Sequence, residues 1–158
     1  MATLIEFFDV PPSADAAFLA DWQRERGTRG ATLYRAIRDD APVRFVSVAA
    51  GDSYELVHED GAVDEPGGVI VCEPFEVPEP NDEPFLDAWS RKRDVLATQR
   101  GYLGSRLYRG VRATERRFVA IARWSSPLMV HRAKQRPEVQ HAAVPFRSHP
   151  VFYQRIRP

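Results

Sequence analysis

Four histidines and one cysteine are the side chains of this chain best suited to proton transfer, metal binding or nucleophilic attack. A neutral imidazole accepts a proton near neutral pH, so His131 and His149 are candidate site residues. No two histidines combine metal-ligand spacing with a convincing third ligand, and no metal site is expected. Cys72 stands alone, which excludes an internal disulfide, and we expect it to be a small buried apolar residue. The sequence has no nucleophile motif and no glycine-rich loop of the phosphate-binding kind.

The elements that must position these residues recur along the chain. Residues 8–22 (FDVPPSADAAFLADW) and 75–89 (FEVPEPNDEPFLDAW) align without a gap and share seven of fifteen residues, including a tryptophan and two phenylalanines. Self-similarity of this kind indicates two copies of one structural unit. Two shorter matches follow in the same order: LYRAIR at 33–38 with LYRGVR at 107–112, and RFVSVA at 44–49 with RFVAIA at 117–122.

The pattern within each copy predicts an α+β fold of the ferredoxin-like kind. The second copy reads β-α-β-β-α-β, whereas the first reads β-α-β-β followed by a short helix that begins at Ser53 and soon fails. Helices cover one face of each sheet and the other face needs a cover, so we expect the two sheets to pack as a dimeric-type α+β barrel within one chain. The predicted strands are 3–8, 31–38, 43–50, 69–76, 102–112, 116–124 and 150–156.

The predicted domain organisation follows the repeat. A truncated ferredoxin-like repeat occupies 1–60, a linker occupies 61–68, and a complete repeat that carries the cavity occupies 69–158. The linker, GAVDEPGG, is rich in turn-forming residues. Trp22 and Trp89 stand at matching places on the first helix of each copy, and we expect both to face the core.

Composition is typical of a soluble globular protein, but the charge is unevenly distributed. No apolar run approaches the roughly 20 residues of a membrane span, and the first residues lack a secretion signal, so a cytoplasmic protein is expected. Residues 1–99 carry 9 Lys/Arg and 20 Asp/Glu, a net −11, and residues 100–158 carry 13 and 2, a net +11. The asymmetry indicates either a basic surface for an acidic partner or two halves whose charges neutralise each other in space. No basic cluster is interleaved with aromatic residues, and nucleic acid is not an expected partner.

Residues 69–158 resemble the antibiotic biosynthesis monooxygenases, a family of dimeric α+β barrel proteins of bacterial polyketide pathways. The resemblance rests on VIVCEPFEVP, FLDAW, GYLGSRLYR, RFVAIARWSSP and HPVFYQRI, and residues 3–58 resemble the same family more weakly. It implies a protein that acts on an aromatic polyketide in antibiotic or pigment biosynthesis. Several members oxygenate such substrates without metal, flavin or haem, so the expected cofactor list is empty and molecular oxygen is the co-substrate.

The resemblance also implies site residues. Trp124 matches the family's cavity tryptophan within ARW and is expected to be catalytic and substrate-binding, with His131 as a proton acceptor. Ala120 stands where the family's oxygenases place an asparagine, and Val130 stands where they place a tyrosine. The residues expected to contact substrate beside Trp124 are Ala120, Leu107, Tyr108 and His149.

Three functions remain open at this point. The first is a cofactor-independent monooxygenase. The second is a polyketide cyclase of the same fold. The loss of the asparagine and the basic C-terminal part of the chain fit an enzyme that steers the enolate of a poly-β-ketone. The third is a non-catalytic polyketide-binding or auxiliary subunit. A homodimer and contacts with other polyketide-pathway enzymes are the protein partners that these functions allow.

Overall fold

The computed structural model describes residues 2–26 and 30–156 and confirms the predicted α+β class. No helix within these residues is long and apolar enough to cross a membrane. The helices are α1 (Asp15–Arg26), α2 (Asp82–Leu96), α3 (Pro127–Lys134) and α4 (Pro137–His141), with one 3-10 turn at Pro12–Ala14. The strands are β1 (Ala2–Phe8), β2 (Thr32–Ala36), β3 (Phe45–Ala50), β4 (Tyr54–Gly61), β5 (Val69–Glu76), β6 (Tyr102–Gly110), β7 (Phe118–Trp124), β8 (Arg147–Ser148) and β9 (Val151–Ile156).

Eight of the strands in the described ranges close into one antiparallel barrel. Around the barrel the order is β1, β3, β2, β9, β5, β7, β6 and β4, and β4 returns to β1. The short β8 pairs with β5 through two residues. Closure leaves no long row of unpaired backbone donors and acceptors at a sheet edge. The expected barrel within one chain is confirmed.

The segment after Ser53 is a strand, and the short helix predicted to begin there is wrong. β4 runs along β6 from Tyr54, opposite Gly110, to Gly61, opposite Gly104, and its first residues pair with β1. Without β4, the facing edges of β1 and β6 would keep unsatisfied backbone groups. Backbone pairing across the barrel therefore outweighs the tendency of this segment to form a helix.

The strands of the two halves pair in corresponding ways. β4 joins β1 to β6, and β9 likewise joins β5 to β2. The first half thus has its closing strand, and α3 and α4 have no counterpart there, since β3 ends at Ala50 and β4 begins at Tyr54. The predicted linker at 61–68 lies between β4 and β5, apart from Gly61, which ends β4.

Apolar side chains fill the barrel interior and both outer layers. Cys72 lies in the interior as expected, and burial raises the pKa of its thiol to about 12. Outside the barrel, α1 packs on the sheet through Trp22 and α2 packs through Phe85 and Trp89. Both tryptophans are buried, which confirms their predicted place in the core.

The opposite charges of the two halves meet along the pairing of β4 with β6. In this region Arg106 binds Glu59 and Asp64, and Arg109 binds Glu55. Most of these side chains are partly exposed, so each pair contributes only about 0–1 kcal/mol. Their arrangement supports the interpretation in which the net charges of the halves neutralise each other in space.

Two neighbouring glycines before β5 predict a contrast in stability. Both have positive φ, +90° at Gly67 and +74° at Gly68, but a Cβ at Gly68 would lie 2.2 Å from the Trp124 carbonyl oxygen. At Gly67 the nearest atom, on the flexible Arg123 side chain, would be 3.9 Å away. We expect Gly67→Ala to cost about 1–2 kcal/mol for backbone strain alone and Gly68→Ala about 2–4 kcal/mol, measured by denaturant unfolding. Equal losses of stability in the two variants would show that the backbone moves easily to relieve the contact between the new Cβ and the Trp124 carbonyl oxygen.

Candidate active site

An apolar cavity of about 140 Å³ lies between the outer face of the second half's sheet and its helices. Strands β5, β6 and β7 form its floor, and α2, α3 and α4 cover it. Two tryptophans line it, Trp89 from α2 and Trp124 from the end of β7. The aliphatic lining includes Val71, Leu96 and Val130. An apolar cavity with a few polar groups is the usual form of a small-molecule site.

Strand alternation decides which residues of β7 reach the cavity. Ala120, Ala122 and Trp124 line it, whereas Val119 and Ile121 belong to the barrel interior. The Trp124 ring meets the Tyr102 ring edge-on, with centroids 5.4 Å apart and planes at 90°. This contact is of the T-shaped kind that aromatic pairs favour, and it fixes the orientation of Trp124.

The chain after Trp124 turns directly into the helix that covers the cavity. The Ser126 hydroxyl accepts a 3.4 Å hydrogen bond from the Met129 backbone N–H, and Pro127 occupies the first turn, where its missing N–H costs nothing. The helix that starts here buries Val130 and Ala133 against the sheet.

One wall of the cavity is polar, and its side chains are anchored on Asp60 of β4 in the first half, which does not itself line the cavity. Its Oδ1 accepts a hydrogen bond from the Tyr102 hydroxyl at 2.8 Å. Its Oδ2 lies 2.9 Å from the Ser105 hydroxyl, 3.0 Å from Arg93 Nη1 and 2.6 Å from His58 Nε2. Asp60 is opposite Ser105 in the pairing of β4 with β6, so both project to the same face. Since Arg93, Tyr102 and Ser105 line the cavity, the first half supports its wall.

The hydrogen bonds of this polar wall control its protonation. Burial by itself would raise the pKa of Asp60, but the hydrogen bonds from His58, Tyr102 and Ser105, together with the charge of Arg93, lower it below its usual value. Burial, and then the hydrogen bond to Asp60, raises the pKa of Tyr102 to about 12. At neutral pH the wall therefore presents a neutral phenol and a guanidinium, both held in place by the Asp60 carboxylate, and these groups can orient oxygen atoms of a ligand.

Three further charged side chains line the cavity, and none of them forms an ion pair with another described residue. They are Glu73 on β5, Lys92 on α2 and Lys134 on α3. Glu73 is half-buried, and its Oε2 accepts a 2.7 Å hydrogen bond from the Ser148 hydroxyl. The two lysines supply positive charge to which an anionic ligand would be drawn.

The structure brings two of the predicted site residues into the cavity, Trp124 and Ala120. Leu107 is fully buried beneath it, packed with the α2 layer, and is not among the lining residues. Tyr108 points to the opposite side and lies in the barrel interior, where burial raises its pKa. Adjacent residues of a strand face opposite sides, so Leu107 and Tyr108 cannot both reach one cavity.

The two predicted histidines lie outside the cavity. His131 is exposed on α3, with its ring 5.8 Å from that of Phe152. His149 is exposed before β9, and its Nε2 lies 3.3 Å from Glu76. Val130 and Lys134 are the residues of α3 that line the cavity, whereas His131 is exposed and is not part of the lining.

The charged and phenolic groups of the cavity are not among the site residues predicted from the sequence. Tyr102 stands inside GYLGSRLYR, one of the segments that carry the family resemblance, and alternation along β5 could have indicated Glu73, which precedes the outward-facing Phe75 by two residues. Asp60 gave no such signal, because its place depends on the pairing of two segments more than 40 residues apart. Among the described residues, no group of three or more His, Cys, Asp or Glu side chains is placed to hold a metal ion.

The comparison with protein families matches a part of the second half of the chain. Residues 68–144 match the family model of the antibiotic biosynthesis monooxygenases. That range contains most of the cavity lining, including Trp89, Tyr102 and Trp124. No curated protein sequence matches the chain.

Several solved structures share the fold. An anthrone oxidase-like protein superposes with a TM-score of 0.73 at 15% identity, over 98% of this chain and 90% of the other. A heme-degrading enzyme from Listeria monocytogenes gives 0.64 at 16% identity, over 96% and 97%. A putative monooxygenase from Shewanella loihica is 26% identical, with a TM-score of 0.53, and covers 60% of this chain and 99% of its own length. The first two likenesses concern the fold alone.

Proposed function

Because residues 68–144 match the family model of the antibiotic biosynthesis monooxygenases, we propose that the protein is a cofactor-independent monooxygenase of an aromatic polyketide. The observation that carries the proposal is the cavity, in which Trp89 and Trp124 supply flat apolar surfaces beside one polar wall. A substrate of the anthrone or phenol class fits this pattern, because it combines fused apolar rings with one or two oxygen atoms.

The proposed reaction balances without an external reductant. An anthrone loses a proton from its methylene carbon, and the electron pair stays on the ring system as an enolate. The enolate reduces molecular oxygen. One oxygen atom becomes the new carbonyl of the quinone, and the other leaves as water with the two methylene hydrogens. The chain has to exclude water, orient the rings and stabilise the enolate, and Lys92 and Lys134 are the cations available for the last task.

Oxygen uptake tests the proposal directly. We expect the purified protein to consume one oxygen molecule for each anthrone converted to anthraquinone, at a rate above that of the buffer. Metal chelation is expected to leave the rate unchanged. Equal conversion of a substrate under strict anaerobiosis would overturn the monooxygenase proposal.

A polyketide cyclase is the second candidate, and Ala120 favours it. A methyl group occupies the place of an amide that could bind a substrate oxygen, while Lys92 and Lys134 remain to hold an enolate. Cyclisation joins two carbons of one poly-β-ketone and needs no oxygen. A ring-closed product formed without oxygen uptake would support the cyclase, and tight binding of a polyketide without any conversion would support an auxiliary, non-catalytic subunit.

Trp124 is expected to matter more for function than for folding. In Trp124→Phe a large ring still fills the buried position, so we expect a loss of stability below about 1.5 kcal/mol. The shorter ring loses part of the contact with ligand and with Tyr102, and we expect kcat/KM for anthrone oxidation to fall about tenfold. Trp22→Phe is the control in the first half, where the lost hydrogen bond from Trp22 Nε1 to the buried Ser47 hydroxyl costs stability and no change in rate is expected. An unchanged kcat/KM in Trp124→Phe would show that this residue is not part of the site.

A further inference from the structure

The carboxylates of Asp60 and Glu73 differ in the number of their hydrogen-bonding partners. Asp60 has four hydrogen-bonding partners, His58, Arg93, Tyr102 and Ser105, and an adjacent guanidinium charge. Glu73 accepts one hydrogen bond, from Ser148, and forms no ion pair within the described residues. A half-buried carboxylate without a cationic partner is costly to keep in an apolar lining. Such groups are therefore candidates for function.

The residues around Glu73 orient its side chain toward the cavity. Its strand places Cys72 in the barrel interior and Glu73 on the outer face, opposite Ala120 of β7. Ser148, held beside β5 by the pairing of Phe75 with Ser148, fixes one carboxylate oxygen at 2.7 Å. The lack of a large side chain at Ala120 leaves room in front of the carboxylate. The other oxygen of Glu73 has no hydrogen-bond partner among the described residues and is free to accept a proton.

From this geometry we infer that Glu73 is the general base that removes the carbon-bound proton of the substrate, an inference that rests on the proposed function. In this step the methylene C–H bond of an anthrone breaks and an O–H bond forms on the Glu73 carboxylate. The electron pair remains on the substrate, and its charge spreads to the ring oxygen. Lys92 and Lys134 line the same cavity and are placed to attract that charge. The proton later leaves with the water that oxygen reduction produces.

The other proton acceptors are less suited to this step. His131 and His149 lie outside the cavity. Asp60 is occupied by its donors, and the lowered pKa of its carboxyl makes it a weak base. Tyr102 is protonated at neutral pH, since its pKa is raised to about 12. Of the described residues that line the cavity, Glu73 is the carboxylate that remains.

Deuterium exchange separates proton removal from oxygen chemistry. Anthrone is incubated with the protein in D₂O without oxygen, and loss of its methylene proton signal is followed by NMR. We expect the wild-type protein to accelerate exchange and Glu73→Gln to lower the accelerated rate at least about 100-fold, the usual contribution of a positioned base. Anthrone binding, followed by quenching of tryptophan fluorescence, and the unfolding midpoint are expected to stay near wild-type values.

Two further variants guard against a merely structural effect. Glu76→Gln is the matched control, since Glu76 lies on the same strand, carries its carboxylate toward Arg147 and His149 and does not line the cavity. It should exchange at the wild-type rate. Glu73→Asp keeps a carboxylate on a shorter side chain, and we expect it to recover part of the exchange that Glu73→Gln loses.

The outcomes distinguish this inference from the proposed function. Exchange by Glu73→Gln at the wild-type rate would overturn the role of Glu73, even if the protein consumes oxygen. A wild-type protein that does not accelerate exchange would overturn it as well. Exchange that depends on Glu73 without any oxygen uptake would retain the base and overturn the monooxygenase.

Discussion

Replacing Trp89 with alanine is expected to lower the free energy of unfolding by about 3–5 kcal/mol. The side chain is only 7% exposed and packs with Phe85, Leu107 and Phe118 between α2 and the sheet. Its ring also meets the His58 ring edge-on, with centroids 5.2 Å apart. Alanine would lose these contacts and join the vacated space to the ligand cavity.

Denaturant unfolding measures this loss, and Leu128→Ala provides the control. Leu128 lies on α3 and is 53% exposed, so its truncation should change stability by no more than about 0.5 kcal/mol. An unfolding midpoint of Trp89→Ala equal to that of the wild type would mean that α2 does not seal the sheet through this residue.

Replacing Asp60 with asparagine is expected to lower the free energy of unfolding by about 1–3 kcal/mol at neutral pH. The carboxylate is 24% exposed and serves donors from β4, β6 and α2 together. An amide keeps one acceptor oxygen, removes the charge opposite Arg93 and brings an N–H group toward the hydroxyls of Tyr102 or Ser105. We expect weaker ligand binding as well, because Tyr102 and Arg93 lose their common anchor at the cavity.

The pH dependence of this effect has a defined sign. The pKa of Asp60 is lowered in the folded protein, so its carboxylate stabilises the fold above the usual aspartate pKa of about 3.9, and the contribution is lost as the pH falls through the folded value. The stability difference between wild type and Asp60→Asn should therefore be present at neutral pH and shrink below about pH 4. Asp52→Asn is the control, since Asp52 is 80% exposed beside Arg112 and should show little difference at any pH. A difference that persists unchanged to pH 2 would contradict an ionised Asp60.

The repeated sequence is sufficient to predict the barrel and most of its helices and strands. The sequence pattern of the two copies predicts seven of the strands, all except β4 and β8, and puts Trp22 and Trp89 on matching helix faces, and the structure agrees with these placements. The strand at Tyr54 was missed because its reason for being extended is not local. It fills the gap between β1 and β6, and that gap exists only after the barrel has formed.

The site was predictable where strand alternation fixed the face and unpredictable where two distant segments had to meet. Trp124 and Ala120 are four residues apart on one strand and therefore share a face. Leu107 and Tyr108 are neighbours, and the same rule separates them. The polar wall joins Asp60 to Arg93 and Tyr102, side chains from three elements whose registers no single segment determines.

The return of β4 to β1 has a consequence for how this barrel responds to dilution. In a barrel assembled from two separate chains, Asp60 and the cavity would belong to different molecules, and the site would be lost when the chains dissociated at low concentration. Here the chain that carries Trp124 also carries Asp60, so the two meet at an effective concentration set by the chain itself. The two halves are also free to diverge, since a substitution on one side is not copied to the other. One half could therefore keep the helices over a ligand cavity while the other reduced its connection from β3 to β4 to a three-residue turn.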